Sequence, residues 1–109
     1  MADVDEEDFA LGAVDAAGDE SGVPVVRLTG EIDISNAERL GDALESIVGP
    51  DARELVVDLD GLEFMDSAGI AMLLRTASRM DAVELRNPSD VMRRIIECTG
   101  LTGIFRMTG

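Results

Sequence analysis

Residues 54–77 read ELVVDLDGLEFMDSAGIAMLLRTA, and the order of patterns in that stretch decides the fold. Glu54–Leu59, ELVVDL, places three apolar residues in succession before Asp58, which reads as a central, buried strand. Gly61–Asp66 reads as a loop. A helix then begins at Ser67 or Ala68, with Ile70, Leu73, Leu74, Ala77 and Met80 as its buried stripe. A strand followed by a short loop and an amphipathic helix is one half of a strand–helix–strand crossover, which favours parallel pairing.

The same alternation extends in both directions. Upstream, Val25–Ile32 alternates, with Val26, Leu28, Gly30 and Ile32 on one side and Arg27, Thr29 and Glu31 on the other. Ser35 is spaced three residues from Glu38, as in a capping box, and opens a helix through Ala37, Leu40, Leu44, Ile47 and Val48. Gly49-Pro50 ends it. Before these, residues 9–17 form a weak strand with Phe9, Leu11 and Ala13 on one face. Residues 18–24, GDESGVP, read as the turn of a hairpin. Downstream, Ala82–Arg86 is a short strand, and Asn87-Pro88-Ser89 is a turn whose serine can cap a third helix. On that helix Val91, Met92, Ile95 and Ile96 face inward, and Gly100 can close it in a left-handed conformation. Leu101, Ile104 and Phe105 form a last apolar unit.

The expectation is one α/β domain over residues 9–109, with a mixed sheet of four to five strands and the helices mainly on one face. Val26, Leu28, Val56, Leu59, Leu40, Leu44, Leu73, Leu74, Ile95 and Ile96 form the expected core. Residues 1–8, MADVDEED, carry five carboxylates and read as a flexible acidic tail.

Composition removes several functions. The 109 residues carry 23 acidic and 9 basic side chains, all nine arginine, for a net charge of −14. Such a chain is repelled by nucleic acid and anionic lipid, and a protein with a basic surface is its electrostatic complement. The charge serves equally as a device for solubility or for a salt-rich cytoplasm. There is no histidine and one cysteine, Cys98. An intrachain disulfide, a zinc site of nitrogen and sulfur ligands, and Ser–His–Asp or Cys–His catalysis by this chain alone are therefore excluded. Cys98 reads as a small core filler or helix-end residue. The acidic N-terminus does not read as a secretory leader, no apolar run approaches membrane-spanning length, and a cytoplasmic location is expected.

The candidate chemistry lies in two loops that each join a strand end to a helix start. In a parallel sheet both lie at the carboxyl ends of the strands, so Asp33, Ser35, Asp66 and Ser67 would share one rim. Ser67 stands where a helix N-terminus favours an anion. It reads either as an ordinary N-cap or as the acceptor of a phosphoryl group, which would add about −1.5 to −2 charges to an exposed edge. Asp33, Asp58 and Asp66 could serve a small carboxylate- or metal-dependent enzyme, and Asp58 with Asp60 a divalent cation. The plainer reading of each is a solvated loop charge.

Taken in order, Leu28-Thr29-Gly30-Glu31-Ile32-Asp33, Val56-Val57-Asp58-Leu59, Phe64-Met65-Asp66-Ser67-Ala68-Gly69-Ile70, Asn87-Pro88-Ser89 and Thr99-Gly100-Leu101, then Phe105, resemble the STAS domain family. Within it the chain is similar to the bacterial anti-sigma factor antagonists. The resemblance covers about residues 9–106 and implies a single STAS-type domain. It implies that Ser67 is phosphorylated by a partner that is both anti-sigma factor and serine kinase. It further implies that Asp66 presents that serine, and that Asp33, Ser35, Asp66, Ser67, Ala68 and Gly69 meet the partner. The unphosphorylated form would bind the anti-sigma factor and release the sigma factor, and a phosphoserine phosphatase would restore it. The chain would be a phosphoprotein switch in transcription regulation and not an enzyme. It would need no cofactor, since ATP and magnesium belong to the kinase. A protein-binding subunit of a lipid-transport or stress-signalling assembly is the other role the family suggests. Ser78–Asp81 leads into Ala82–Leu85 over a shorter turn than the family's usual one, which would shorten the second helix or truncate an edge strand. Asn87-Pro88-Ser89 is also reduced, which would displace the third helix.

Overall fold

The computed structural model describes residues 12–109. The expected tail and the beginning of the first expected strand, with Phe9 and Leu11, lie outside the described residues. β1 (Ala13–Glu20) and β2 (Val23–Ile32) form an antiparallel hairpin. Its turn is only Ser21-Gly22, with φ of +57° and +84°. Positive φ at both central residues gives a twist that matches the flanking strands. The expected seven-residue turn is thus two residues, because the polar residues around it belong to strand ends on an exposed edge. Pro24 sits at the start of β2, before β3 joins at Val25, where a strand tolerates proline.

The remaining elements are α1 (Ala37–Val48), β3 (Glu54–Asp58), β4 (Leu62–Met65), α2 (Ser67–Ala77), β5 (Ala82–Arg86), α3 (Asp90–Cys98), a 3₁₀ turn at Leu101–Gly103 and β6 (Phe105–Thr108). The strands run in the order β1-β2-β3-β5-β6, parallel except for β1, and β4 pairs with the end of β2. Among the described residues the mixed sheet and three helices are as expected, but there are six strands instead of four to five. Leu62–Met65 was expected to be loop. It is a strand because β2 outruns β3 and leaves its last backbone groups, Gly30–Ile32, to be paired. The last apolar unit supplies β6, so β5 lies inside the sheet and is not a truncated edge.

Register separates the two faces of the sheet. Val26, Val57, Leu85 and Met107 stand side by side on the inner face. Arg27, Asp58, Arg86 and Thr108 line up on the outer face, beside a second row of Val25, Val56, Glu84 and Arg106. The helices pack into the inner face. Leu40 and Leu44 of α1, Met72 and Leu73 of α2, and Met92 and Ile96 of α3 join Leu28, Ile32, Leu59 and Phe105 in one core. A methyl added at Gly41 would come 2.9 Å from Met72 Cγ, so α1 and α2 approach closely there.

Three expected core positions differ, as does Val91, which was expected to face inward on the third helix. Val56 is buried but on the outer face beside Val25, outside the main core, because register puts it out of phase with Leu55 and Val57. Leu74 and Ile95 are only half-buried, and Val91 is exposed. The buried spine of α2 is Gly69, Met72, Leu73, Thr76 and Ala77. A glycine and a threonine belong to it, so the apolar letters alone mark a stripe rotated from the true one.

Candidate functional site

Asp66 ends β4 and caps α2. Its Oδ1 accepts the amide N–H of Ala68 at 2.9 Å and of Gly69 at 3.4 Å. Ser67 therefore does not cap its own helix. It is the first helical residue, and it is exposed. Gly69 is buried. A methyl there would collide with Met65 and stand 3.1 Å from Ile32 Cγ2, so this residue seats the helix and offers no contact surface of its own. Ala68, half-buried, lies between the two.

The loop after β2 is built around Asn36, which is 3% exposed. Its Oδ1 accepts the N–H of Asp33 at 2.9 Å, and its Nδ2 donates to the carbonyl of Glu31 at 2.9 Å. Asp33 Oδ1 in turn accepts both the amide N–H of Ser35 at 2.9 Å and its hydroxyl at 2.5 Å. Those two bonds hold the Asp33 carboxyl below its ordinary pKa. The expected capping box of Ser35 and Glu38 is not formed. The hydroxyl of Ser35 turns to Asp33, and Asn36 is the residue at the helix boundary. A backbone bond from Asp66 N–H to the Ile32 carbonyl, 3.2 Å, ties the two loops together. Asp33, Ser35, Asp66 and Ser67 thus share one rim at the carboxyl ends of the strands.

Asp58 stands elsewhere. It pairs with Arg27 on the outer face, at 4.0 Å, and accepts the Asp60 N–H at 3.0 Å. Arg27, on β2, lies six residues before Asp33 in the loop that follows, roughly 20 Å at strand rise, so Asp33, Asp58 and Asp66 do not converge on one centre. Among the described residues no three acidic or cysteine side chains cluster as metal ligands. Cys98 is exposed at the end of α3 and does not fill the core. No helix among the described residues is long and apolar enough to cross a membrane.

Three features of the rim were not read from the sequence. Asn36 is its buried latch. Ile34 and Phe64 are 85% and 52% exposed on either side of it. A lone apolar residue inside the polar run Asp33–Asn36 was the available signal for Ile34.

A family model described as "Mlab, STAS domain" matches residues 15–108. The anti-sigma-F factor antagonist RsfB of Mycobacterium tuberculosis is 34% identical over 94 residues, covering 82% of this chain and 75% of the relative. An anti-sigma factor antagonist from Mycobacterium paratuberculosis has a solved structure with TM-score 0.69 at 32% identity, covering 88% and 86% of the two chains. The anti-sigma factor antagonist SpoIIAA in its unphosphorylated form matches with TM-score 0.67 at 21% identity, covering 91% and 89%. In its phosphorylated form, described as a Bacillus cell fate determinant, it matches with TM-score 0.62 at 22% identity, covering 91% and 92%. The last two show the shared fold. The match over nearly the whole chain, with the motif serine exposed at a helix start, makes this protein a member of the STAS domain family, among its bacterial anti-sigma factor antagonists.

Proposed function

We propose that the chain is a phosphorylation-controlled binding module whose switch is Ser67. Unphosphorylated, it binds an anti-sigma factor that is also a serine kinase, and the sigma factor is released. Phosphorylated, it lets go, and a phosphoserine phosphatase returns it to the binding form. The carrying observation is that Asp66 performs the capping, which leaves the Ser67 hydroxyl exposed and unneeded by the fold.

The geometry bears on how the switch acts. The Asp66 carboxylate already occupies the N–H groups of Ala68 and Gly69. A phosphate on Ser67 would find those donors taken and a negative charge next to it. The new charge therefore turns outward and weakens the docked surface by repulsion and by the cost of desolvating it. The fold does not depend on the modified atom, so the domain stays folded in both states. ATP, magnesium and the general base belong to the kinase. This chain supplies only the nucleophilic hydroxyl and the docking rim, with Asp33 held charged by Ser35, and acts as substrate and switch instead of enzyme.

The test is to incubate the purified protein with its cognate kinase and ATP, map the modified residue and titrate both forms against the kinase. Phosphate on Ser67 and weaker binding of the modified form are expected. Phosphate only on Ser35 or Ser89, or equal affinity of the two forms at matched nucleotide, would reject the assignment. Ser67→Ala should abolish phosphorylation and keep most of the binding.

A further inference from the structure

Beside the rim, a hollow of about 320 Å³ lies between β4 and α3, lined by Leu62, Phe64, Val91 and Ile95 among others. A second hollow of about 330 Å³ continues along α3 past Val91 and Ile95 to Arg94 and Cys98. Val91, Ile95 and Cys98 recur at helical spacing, so the groove follows one face of α3 that nothing in the described chain covers. Val91 is 68% exposed and Phe64 52%, an unusual outlay of large apolar surface for a chain of 109 residues. The first hollow reaches the start of the Ser67 rim, since Met65, one of its lining residues, directly precedes the helix-capping Asp66.

Charge identifies the occupant. Every ion pair among the described residues lies on the outer sheet face or near the amino ends of the strands. The two carboxylates that line the groove, Glu63 in the first hollow and Asp90 in the second, are in none of them, and the groove's one arginine, Arg94, lies a turn further along α3. A second copy of this chain carries the same net charge of −14 and is repelled. A groove that runs along a helix suits another helix laid beside it.

We infer that this groove receives an amphipathic helix of the anti-sigma partner. Its apolar stripe seats between Phe64 and Val91, and its lysines or arginines face Glu63 and Asp90. The inference rests on the reading of the rim given above, and it extends the interface from a loop contact to a helix-in-groove contact.

The experiment titrates the purified anti-sigma factor of the same organism with wild-type protein, with Ser67→Glu, with the double variant Phe64→Ser/Val91→Ser, and with Glu63→Gln. Phe64, Val91 and Glu63 are exposed, so thermal unfolding should be unchanged in the last two. Supporting results are a dissociation constant raised about tenfold or more in the double variant and a smaller, salt-sensitive rise in Glu63→Gln. Wild-type affinity in the double variant, with Ser67→Glu still weakened, would overturn the groove and leave the rim reading standing. Failure of the wild type to bind at all would overturn both. Concentration-dependent self-association in sedimentation, lost in the double variant, would assign the groove to a second copy and overturn the inference.

Discussion

On the outer face of the sheet, Glu84 receives the Thr108 hydroxyl at 2.7 Å, Arg86 Nε at 3.1 Å and Arg106 at 3.8 Å. Arg86 reaches on to Glu20 with two further bonds, at 3.0 and 3.1 Å. At the carboxyl-end rim, among the described residues, Asp33 and Asp66 accept only from the hydroxyl and amide groups of their own loops. The first region satisfies its charges internally, and its long side chains Glu84, Arg86 and Arg106 stand around the buried Val56. Among the described residues no helix packs there, and a polar lattice covers that face. Among the described residues the second leaves its carboxylates without cations and sets Ile34 and Phe64 in water beside them. A surface whose charges are already paired offers little to a partner. One whose charges and apolar groups are both unanswered is built to meet another protein. The difference teaches that stability and recognition are assigned to different surfaces of this small sheet.

The sharpest way to break that division is at Ser67. Ser67→Glu, or stoichiometric phosphorylation, should cost about 2–5 kcal/mol of binding while the urea unfolding midpoint stays unchanged. Comparable loss of stability would mean that the serine belongs to the fold after all. Asn36 is where the two roles meet. Asn36→Ala removes both bonds of a buried amide and leaves the Glu31 carbonyl and the Asp33 N–H without that partner, which should cost about 1–3 kcal/mol of stability. It should also weaken binding, because the Asp33 loop loses its anchor. Calorimetric titration at a temperature where the variant is fully folded separates the two effects.

Asp66→Ala should lower stability by about 0.5–2 kcal/mol, the usual cost of losing a helix cap, and shift hydrogen exchange first at the Ala68 and Gly69 amides. On the opposite surface, Glu84→Gln should cost about 1 kcal/mol or less and leave partner affinity untouched. Its clearer signature is in pH. The Thr108 hydroxyl, with Arg86 and Arg106, holds Glu84 below its ordinary value of 4.5, and Arg86 does the same to Glu20. Their contribution is complete above pH 4.5 and is lost as the pH falls through the lowered values. Urea midpoints measured from pH 6 downward should fall less steeply in Glu84→Gln than in wild type. Asp33 and Asp81 are lowered too and leave a residual slope. The smallest effect is kinetic. Added salt should slow association with a basic partner more than it speeds dissociation, and a salt-independent association rate would show that the unpaired rim carboxylates do not steer.

Periodicity alone predicted three helices, the hairpin, the parallel unit around ELVVDL and the nearness of the two loops. Each depends on local pattern and on the rule that strand–helix–strand units share one sheet edge. Ser89 capping α3 at 3.1 Å and Gly100 at φ +77° were legible for the same reason, since the cap and the left-handed turn are chosen by the residue that makes them. Ser35 misled because a capping box is only one use of a hydroxyl near a helix start. Asp33, two residues away, competed for it and won.

What lay beyond the sequence depended on which strand met which. Leu62–Met65 has no strong strand pattern and becomes β4 because β2 presents unpaired backbone there. Val56 looks like its neighbours Leu55 and Val57, and only register sends it to the other face. The sequence by itself determined the order of elements, the core-facing stripes to within one helical position, and a serine at a helix start with an aspartate before it. The tertiary structure decided that the aspartate caps the helix and so frees the serine. It decided that a buried asparagine locks the neighbouring loop, and that the arginines answer the carboxylates on one surface and leave those on another unanswered. The cap and the latch are bonds within five residues, chosen among several that the local sequence allows; the pairing of the arginines joins residues far apart in the chain, and a linear pattern carries no information about it until the sheet is assembled.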